Sequence, residues 1–174
     1  YQSRDAKGAI DDLSKAIELN SKDENAYFCR GIAKYQSRDA KCAIDDYTKV
    51  IELNSEYEDA YINRGLAKDY SGDNKGAIDD YSKAIEINPR KEDAYFNRGA
   101  AKSKLQDYQG AINDYSSLIE LDQQNWDAYK KRGIAKRKIK DFEGAINDFS
   151  RVIKVNLKNQ REFISVSYTH LRAH

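Results

Sequence analysis

The 174-residue chain has no methionine, one proline, two cysteines, nine glycines and two histidines, the latter both within its last five residues. Two cysteines cannot staple a disulfide scaffold, so a reducing compartment, the cytoplasm, is expected. No stretch approaches the roughly 18 consecutive apolar residues of a membrane span. With no secretory h-region and no Asn-x-Ser/Thr sequon, no membrane partner is expected. Scarce proline and glycine leave little material for turns, which favours a mostly helical class. The lack of methionine even at residue 1 is expected to mean that the protein continues upstream. What the chain does have is charge of both signs, 30 basic against 29 acidic residues, with 40% apolar and 11% aromatic content. That apolar content is too high for a disordered chain.

The dominant pattern is a repeat. Tyr1 to Ser21 can be laid on Tyr35 to Ser55 with 17 identities, the exceptions being Gly8/Cys42, Leu13/Tyr47, Ser14/Thr48 and Ala16/Val50. The same step of 34 residues links Ala26, Ala60, Ala94 and Ala128, then Gly31, Gly65, Gly99 and Gly133, and also Asp5, Asp39, Asp73, Asp107 and Asp141. A fixed period of this length marks stacked helix–turn–helix units. In one unit Ala60, Tyr61, Leu66, Ala67 and Tyr70 recur at helical spacing, and Ala77, Ile78, Tyr81, Ala84 and Ile85 form one face of a second helix. Asp73 is placed to cap that helix and Asn88-Pro89 to stop it. Two helices cannot bury an apolar face alone, so neighbouring units must stack.

Residues Ala94-Tyr95, Gly99, Gly110-Ala111-Ile112, Tyr115 and Ile119 resemble the tetratricopeptide repeat. Tyr27, Tyr61, Tyr95 and Trp126-Asp127-Ala128-Tyr129 supply its first aromatic. Ala43, Ala77, Ala111 and Ala145 supply its alanine, and Tyr47, Tyr81, Tyr115 and Phe149 its second aromatic. The proline expected at the end of each unit survives only as Pro89. The resemblance covers roughly residues 1–159. It implies an all-α, right-handed superhelical solenoid of antiparallel helix pairs. Residues 1–23 are expected to be the second helix of a truncated repeat, with full repeats at 24–57, 58–91, 92–125 and 126–159. Residues 160–174 read as the start of a broken repeat and a non-native tail. The run from Val166 to His174 resembles translated sequencing-adapter read-through, so residues 165–174 are set aside.

Without those terminal histidines the repeat body has no imidazole to activate a serine or cysteine nucleophile or to ligate a metal. Cys29 and Cys42 lack CxxC spacing. Asp45-Asp46 and Asp79-Asp80 recur from unit to unit, whereas an active site is singular, and no phosphate-binding glycine motif occurs. No enzyme activity, metal or cofactor is expected.

Arg30, Arg64, Arg98 and Arg132 stand where the family usually has leucine. Asp12, Asp46, Asp80, Asp114 and Asp148 recur with the same period on the second helices. A half-buried guanidinium needs an anion, so an Arg–Asp ladder is expected, each Arg meeting the Asp of its own or of the preceding unit. The alternative is an arginine whose head snorkels to water.

The resemblance also implies a concave groove lined by first helices that holds a peptide or a partner helix. By position its lining includes Phe28, Ile32, Ile62, Asn63, Leu66, Tyr70, Phe96, Asn97, Lys104, Lys130, Lys131 and Lys138, with Asp59, Asp93 and Asp127 at the rim. Asn63 and Asn97 match the asparagine ladder of O-linked N-acetylglucosamine transferase members, which Cys29 and Lys131 interrupt. The carboxylate clamp of chaperone adaptors is matched poorly, by Phe28, Ile32, Asn63, Asp93 and Asn97 in one register or Ile62, Leu66, Asn97, Asp127 and Lys131 in the next, so it is not expected. Residues 126–159 carry ten basic against four acidic residues, which suits acidic peptides or phosphates. The resulting expectation is a non-catalytic interaction scaffold for a peptide or protein partner. Its rivals are an architectural spacer that self-associates through truncated repeat ends, and nucleic-acid or phosphate binding by the basic fourth repeat, which the missing aromatic platform disfavours.

Overall fold

A computed structural model describes residues 2–154. The regular elements among them are helices, in the order α1 (Gln2–Leu19), α2 (Glu24–Gln36), α3 (Ala40–Leu53), α4 (Glu58–Tyr70), α5 (Asn74–Ile87), α6 (Glu92–Lys104), α7 (Tyr108–Leu121) and α8 (Trp126–Lys138). A further helix, α9, occupies residues 142–154. The expected broken repeat and tail, with both histidines, lie outside the described residues. The chain divides into one unit of residues 1–106, holding α1 to α6, and a second that begins at residue 107 and holds α7 to α9.

Five helix starts have a local cause in a side-chain cap, while α4 and α6 begin after Tyr57 and Lys91 without one. The carboxylates of Asp23, Asp39, Asp73 and Asp107 accept the backbone N–H three residues on, and Asn125 does so through its amide oxygen. These contacts satisfy donors that the first helical turn leaves orphaned. The turns inside the helix pairs share a second device. Arg38, Gly72, Gln106 and Lys140, each 34 residues from the last, all adopt left-handed backbone with φ of 65°, 89°, 63° and 66°. Glycine takes that conformation without strain, while the other three accept roughly 1–2 kcal/mol each.

In the first unit each helix packs on the next, α1 on α2 through to α5 on α6, and the first helices α2, α4 and α6 also touch their nearest counterparts. The core is built of small residues around tyrosine. Ala43, Tyr47, Ala77, Tyr81 and Ala84 have no exposed surface. Gly65 is what admits the ring: a Cβ there would lie 2.7 Å from Tyr81 Cε1, too close for any side chain. In the second unit α7 packs on α8, and α8 meets α9 through Gly133 against Phe149.

Candidate functional site

Two faces of the first helices carry different chemistry. The bonded face is the arginine ladder. Arg30 on α2 donates through Nε and Nη2 to Asp46 on α3, at 3.0 and 2.7 Å. Arg64 grips Asp80 with the same two distances, and Arg132 grips Asp148 at 2.9 and 2.7 Å. Each of these arginines therefore meets the aspartate of its own helix pair. The carboxylates are buried, Asp46 at 3%, Asp80 at 4% and Asp148 at 2% exposure. A second cation one helical turn on completes each site: Lys34 to Asp46 and Lys68 to Asp80 at 2.8 Å, Lys136 to Asp148 at 2.9 Å. Burial alone would push the Asp148 carboxyl up. Its hydrogen bonds to Arg132 and Lys136 outweigh that, and together hold it below its ordinary value.

The third guanidinium donor reaches the preceding pair. Nη1 of Arg30, Arg64 and Arg98 bonds the hydroxyl of Ser14, Thr48 and Ser82 at 3.0, 3.1 and 3.0 Å, and Arg132 reaches Ser116 at 3.0 Å. Each hydroxyl spends its own proton on the carbonyl four residues back, Ile10, Ile44, Ile78 or Ile112, which leaves a lone pair for the arginine. The guanidinium carbons also lie 5.4–5.7 Å from the ring centres of Tyr27, Tyr61, Tyr95 and Tyr129. The hydroxyl column was the element that reading the sequence for Arg and Asp alone missed. Its signal was present, since Ser14, Thr48, Ser82, Ser116 and Ser150 all carry a hydroxyl at the 34-residue step.

The other face holds the residues aligned with a groove, and packing has claimed several of them. Ile62 is only 5% exposed and belongs to the core around Tyr81, so it is removed from the contact surface. Leu66 packs against the same core, and Phe28 and Ile32 pack around Tyr47, each of the three half-buried. The Phe28 ring lies 5.0 Å from that of Tyr57. Asn63 donates Nδ2 to its own helix, to the Asp59 carbonyl at 2.8 Å. The acidic rim is partly neutralised, because Lys91 Nζ sits 2.6 Å from Asp59 Oδ1. Lys104 is likewise tied to Asp69, at 2.6 Å. Tyr70 is 57% exposed and is met edge-on by Tyr35, with ring centres 6.0 Å apart. Phe96 and Asn97 are half-buried, and Cys29 is exposed.

On α8 the corresponding positions are Lys130, Lys131, Ile134 and Lys138, all exposed. Among the described residues no group of three His, Cys, Asp or Glu is placed to hold a metal ion. No described helix is long and apolar enough to cross a membrane.

Residues 70–106 match the family described as TPR repeat, and residues 92–125 match Tetratricopeptide repeat. Residues 70–125 carry tetratricopeptide repeats. Comparison with curated proteins finds no match. Solved structures do match. MamA is 22% identical over 91% of this chain and 93% of its own, with a TM-score of 0.87. YrrB, described as a TPR protein with an unusual peptide-binding site, is 22% identical over 88% of this chain and 79% of its own, at 0.77. The first TPR of Spaghetti (RPAP3), bound to the HSP90 peptide SRMEEVD, is 25% identical over 69% of this chain and 95% of its own, at 0.66. The fold is an all-α helical repeat of the solenoid class, as the tetratricopeptide spacing predicts.

Proposed function

We propose that this tetratricopeptide-repeat chain is a non-catalytic scaffold that binds a peptide segment of a partner protein on the first-helix face of residues 1–106. The observation that carries it is the division of labour between the two faces. The Arg–Asp–hydroxyl network satisfies the buried charges on one side, while Tyr70, supported by Tyr35, stands 57% exposed on the other without serving the core. An exposed aromatic braced by a second ring offers apolar area at little entropic cost. Two turns back along the same helix, Asn63 keeps its amide oxygen and second N–H for a bound backbone. The peptide-bound repeat of Spaghetti (RPAP3) and the peptide-binding description of YrrB support the same use of the fold.

The contact set differs from the one alignment alone implies. Ile62 drops out, and Phe28, Ile32 and Leu66 contribute edges. Tyr70, Asn63, Phe96 and Asn97 carry the contact. Selection from a displayed peptide library against the full chain should enrich a related set of segments, and Tyr70→Ala with Asn63→Ala should weaken them while circular dichroism stays unchanged. Enriched segments that bind the double variant as well as the parent would overturn the proposal.

A further inference from the structure

Helix α8 separates its six basic residues into two groups. Arg132 and Lys136 are neutralised by the buried Asp148. Lys130, Lys131, Arg137 and Lys138 are exposed and form no ion pair with any described acid, and Lys140 follows them in the turn. At about 100° per residue, Arg137, Lys130, Ile134, Lys138 and Lys131 fall within about 120° of the helix circumference. The buried residues Ala128, Tyr129, Gly133 and Ala135 take the opposite side. The free cations are thus one continuous stripe, with Ile134, 36% exposed, set among them.

The fold gives only part of this stripe a structural reason. Arg137 and Lys138 lie in the last turn, where the helix dipole favours cations. Lys130 and Lys131 lie in the N-terminal half, where it does not. In the first unit the positions matching Lys130 hold Phe28, Ile62 and Phe96, those matching Lys131 hold Cys29, Asn63 and Asn97, and the cation matching Lys138, Lys104, is engaged with Asp69. A cationic stripe that no described acid neutralises, set around one aliphatic side chain, is complementary to carboxylates flanking an apolar residue. Nucleic acid would favour free aromatic faces, but Trp126 is stacked on Tyr129, 5.8 Å between centres, and Tyr129 is buried beneath Arg132 and Arg151.

We infer that α8 is a docking surface for an acidic protein segment, one in which Asp or Glu residues flank a single aliphatic side chain. This rests on the proposed scaffold role and names a partner chemistry for its basic helix. Exposed charge pairs are individually weak and screened by salt, so the affinity is spread over the stripe and falls as ionic strength rises.

The test uses the full chain and a short fluorescein-labelled peptide with glutamates flanking one leucine, followed by fluorescence anisotropy. Lys130→Glu with Lys131→Glu should weaken binding by about tenfold or more, and Lys130→Gln with Lys138→Gln should do so to a lesser degree. Helix content should be unchanged, since the Arg132–Asp148 pair is untouched. Tyr70→Ala with Asn63→Ala should leave this probe's affinity intact. No change in the α8 variants overturns the inference, and so does tighter binding of a single-stranded oligonucleotide or of inorganic phosphate than of the peptide. If library peptides still depend on Tyr70 in that case, the scaffold role stands without the acidic partner. If they do not, both fall.

Discussion

Helices α4 and α8 are the same element repeated 68 residues apart, and they agree on one side only. On the bonded side they match atom for atom: Arg64 and Arg132 each hold an aspartate, a hydroxyl and a tyrosine ring, with Lys68 and Lys136 completing the carboxylate sites. On the other side Ile62, Asn63, Leu66 and Tyr70 are replaced by Lys130, Lys131, Ile134 and Lys138. Positions that bury charge have a single geometric solution, whereas positions facing outward are free to differ. What varies between repeats of one chain is therefore where recognition is to be sought.

The largest expected effect breaks the shared side. Arg64→Ala leaves Asp80 buried at 4% with only Lys68, and should cost about 3–5 kcal/mol in urea unfolding. A loss under about 0.5 kcal/mol, the range of ordinary surface changes, would show that the ladder is ornamental. Gly65→Ala comes next, since its Cβ meets the fully buried Tyr81 ring at 2.7 Å. It should cost about 1–3 kcal/mol, read in the same unfolding assay.

Acid should loosen the ladder at α8. The Asp148 carboxyl titrates below its unfolded value, so its contribution is complete above the ordinary carboxylate range near pH 4. It is lost as pH falls through the lower folded value, and Asp148→Asn should flatten that part of a stability-versus-pH curve. The smallest change is Tyr81→Phe. The Tyr81 hydroxyl is buried with no hydrogen-bond partner, and burial pushes its titration upward. Removing it should be neutral or stabilising by up to about 1 kcal/mol, as the phenylalanine at the matching position 149 suggests. Because the tyrosine's folded value exceeds its unfolded one, the parent should lose stability as pH rises above about 10, and Tyr81→Phe should blunt that loss.

Much of the fold could be read from the chain. The helix pairs follow from apolar residues at helical spacing, and the capping role of Asp73 from its place before an apolar run, realised as a bond to Gly76 N–H at 2.9 Å. The candidate surface was less legible. Ile62 and Tyr70 sit on one helix with the same alignment to a groove, yet one is sealed in and the other stands out. Alignment assigns both to a face, but exposure depends on how closely the neighbouring helices approach.

By itself the sequence determined the 34-residue step, the all-helical class and the residue types available in each column, because propensity, capping and periodicity act within one helix or turn. Only the tertiary structure decided that Arg30, Arg64 and Arg132 take the aspartates of their own pairs, and that a hydroxyl of the preceding pair receives the remaining donor. It also decided that Arg38, Gln106 and Lys140 accept the left-handed turn Gly72 adopts without strain. These outcomes depend on distances between elements far apart in the chain, which are set once the helices have packed around Tyr47 and Tyr81 and not before.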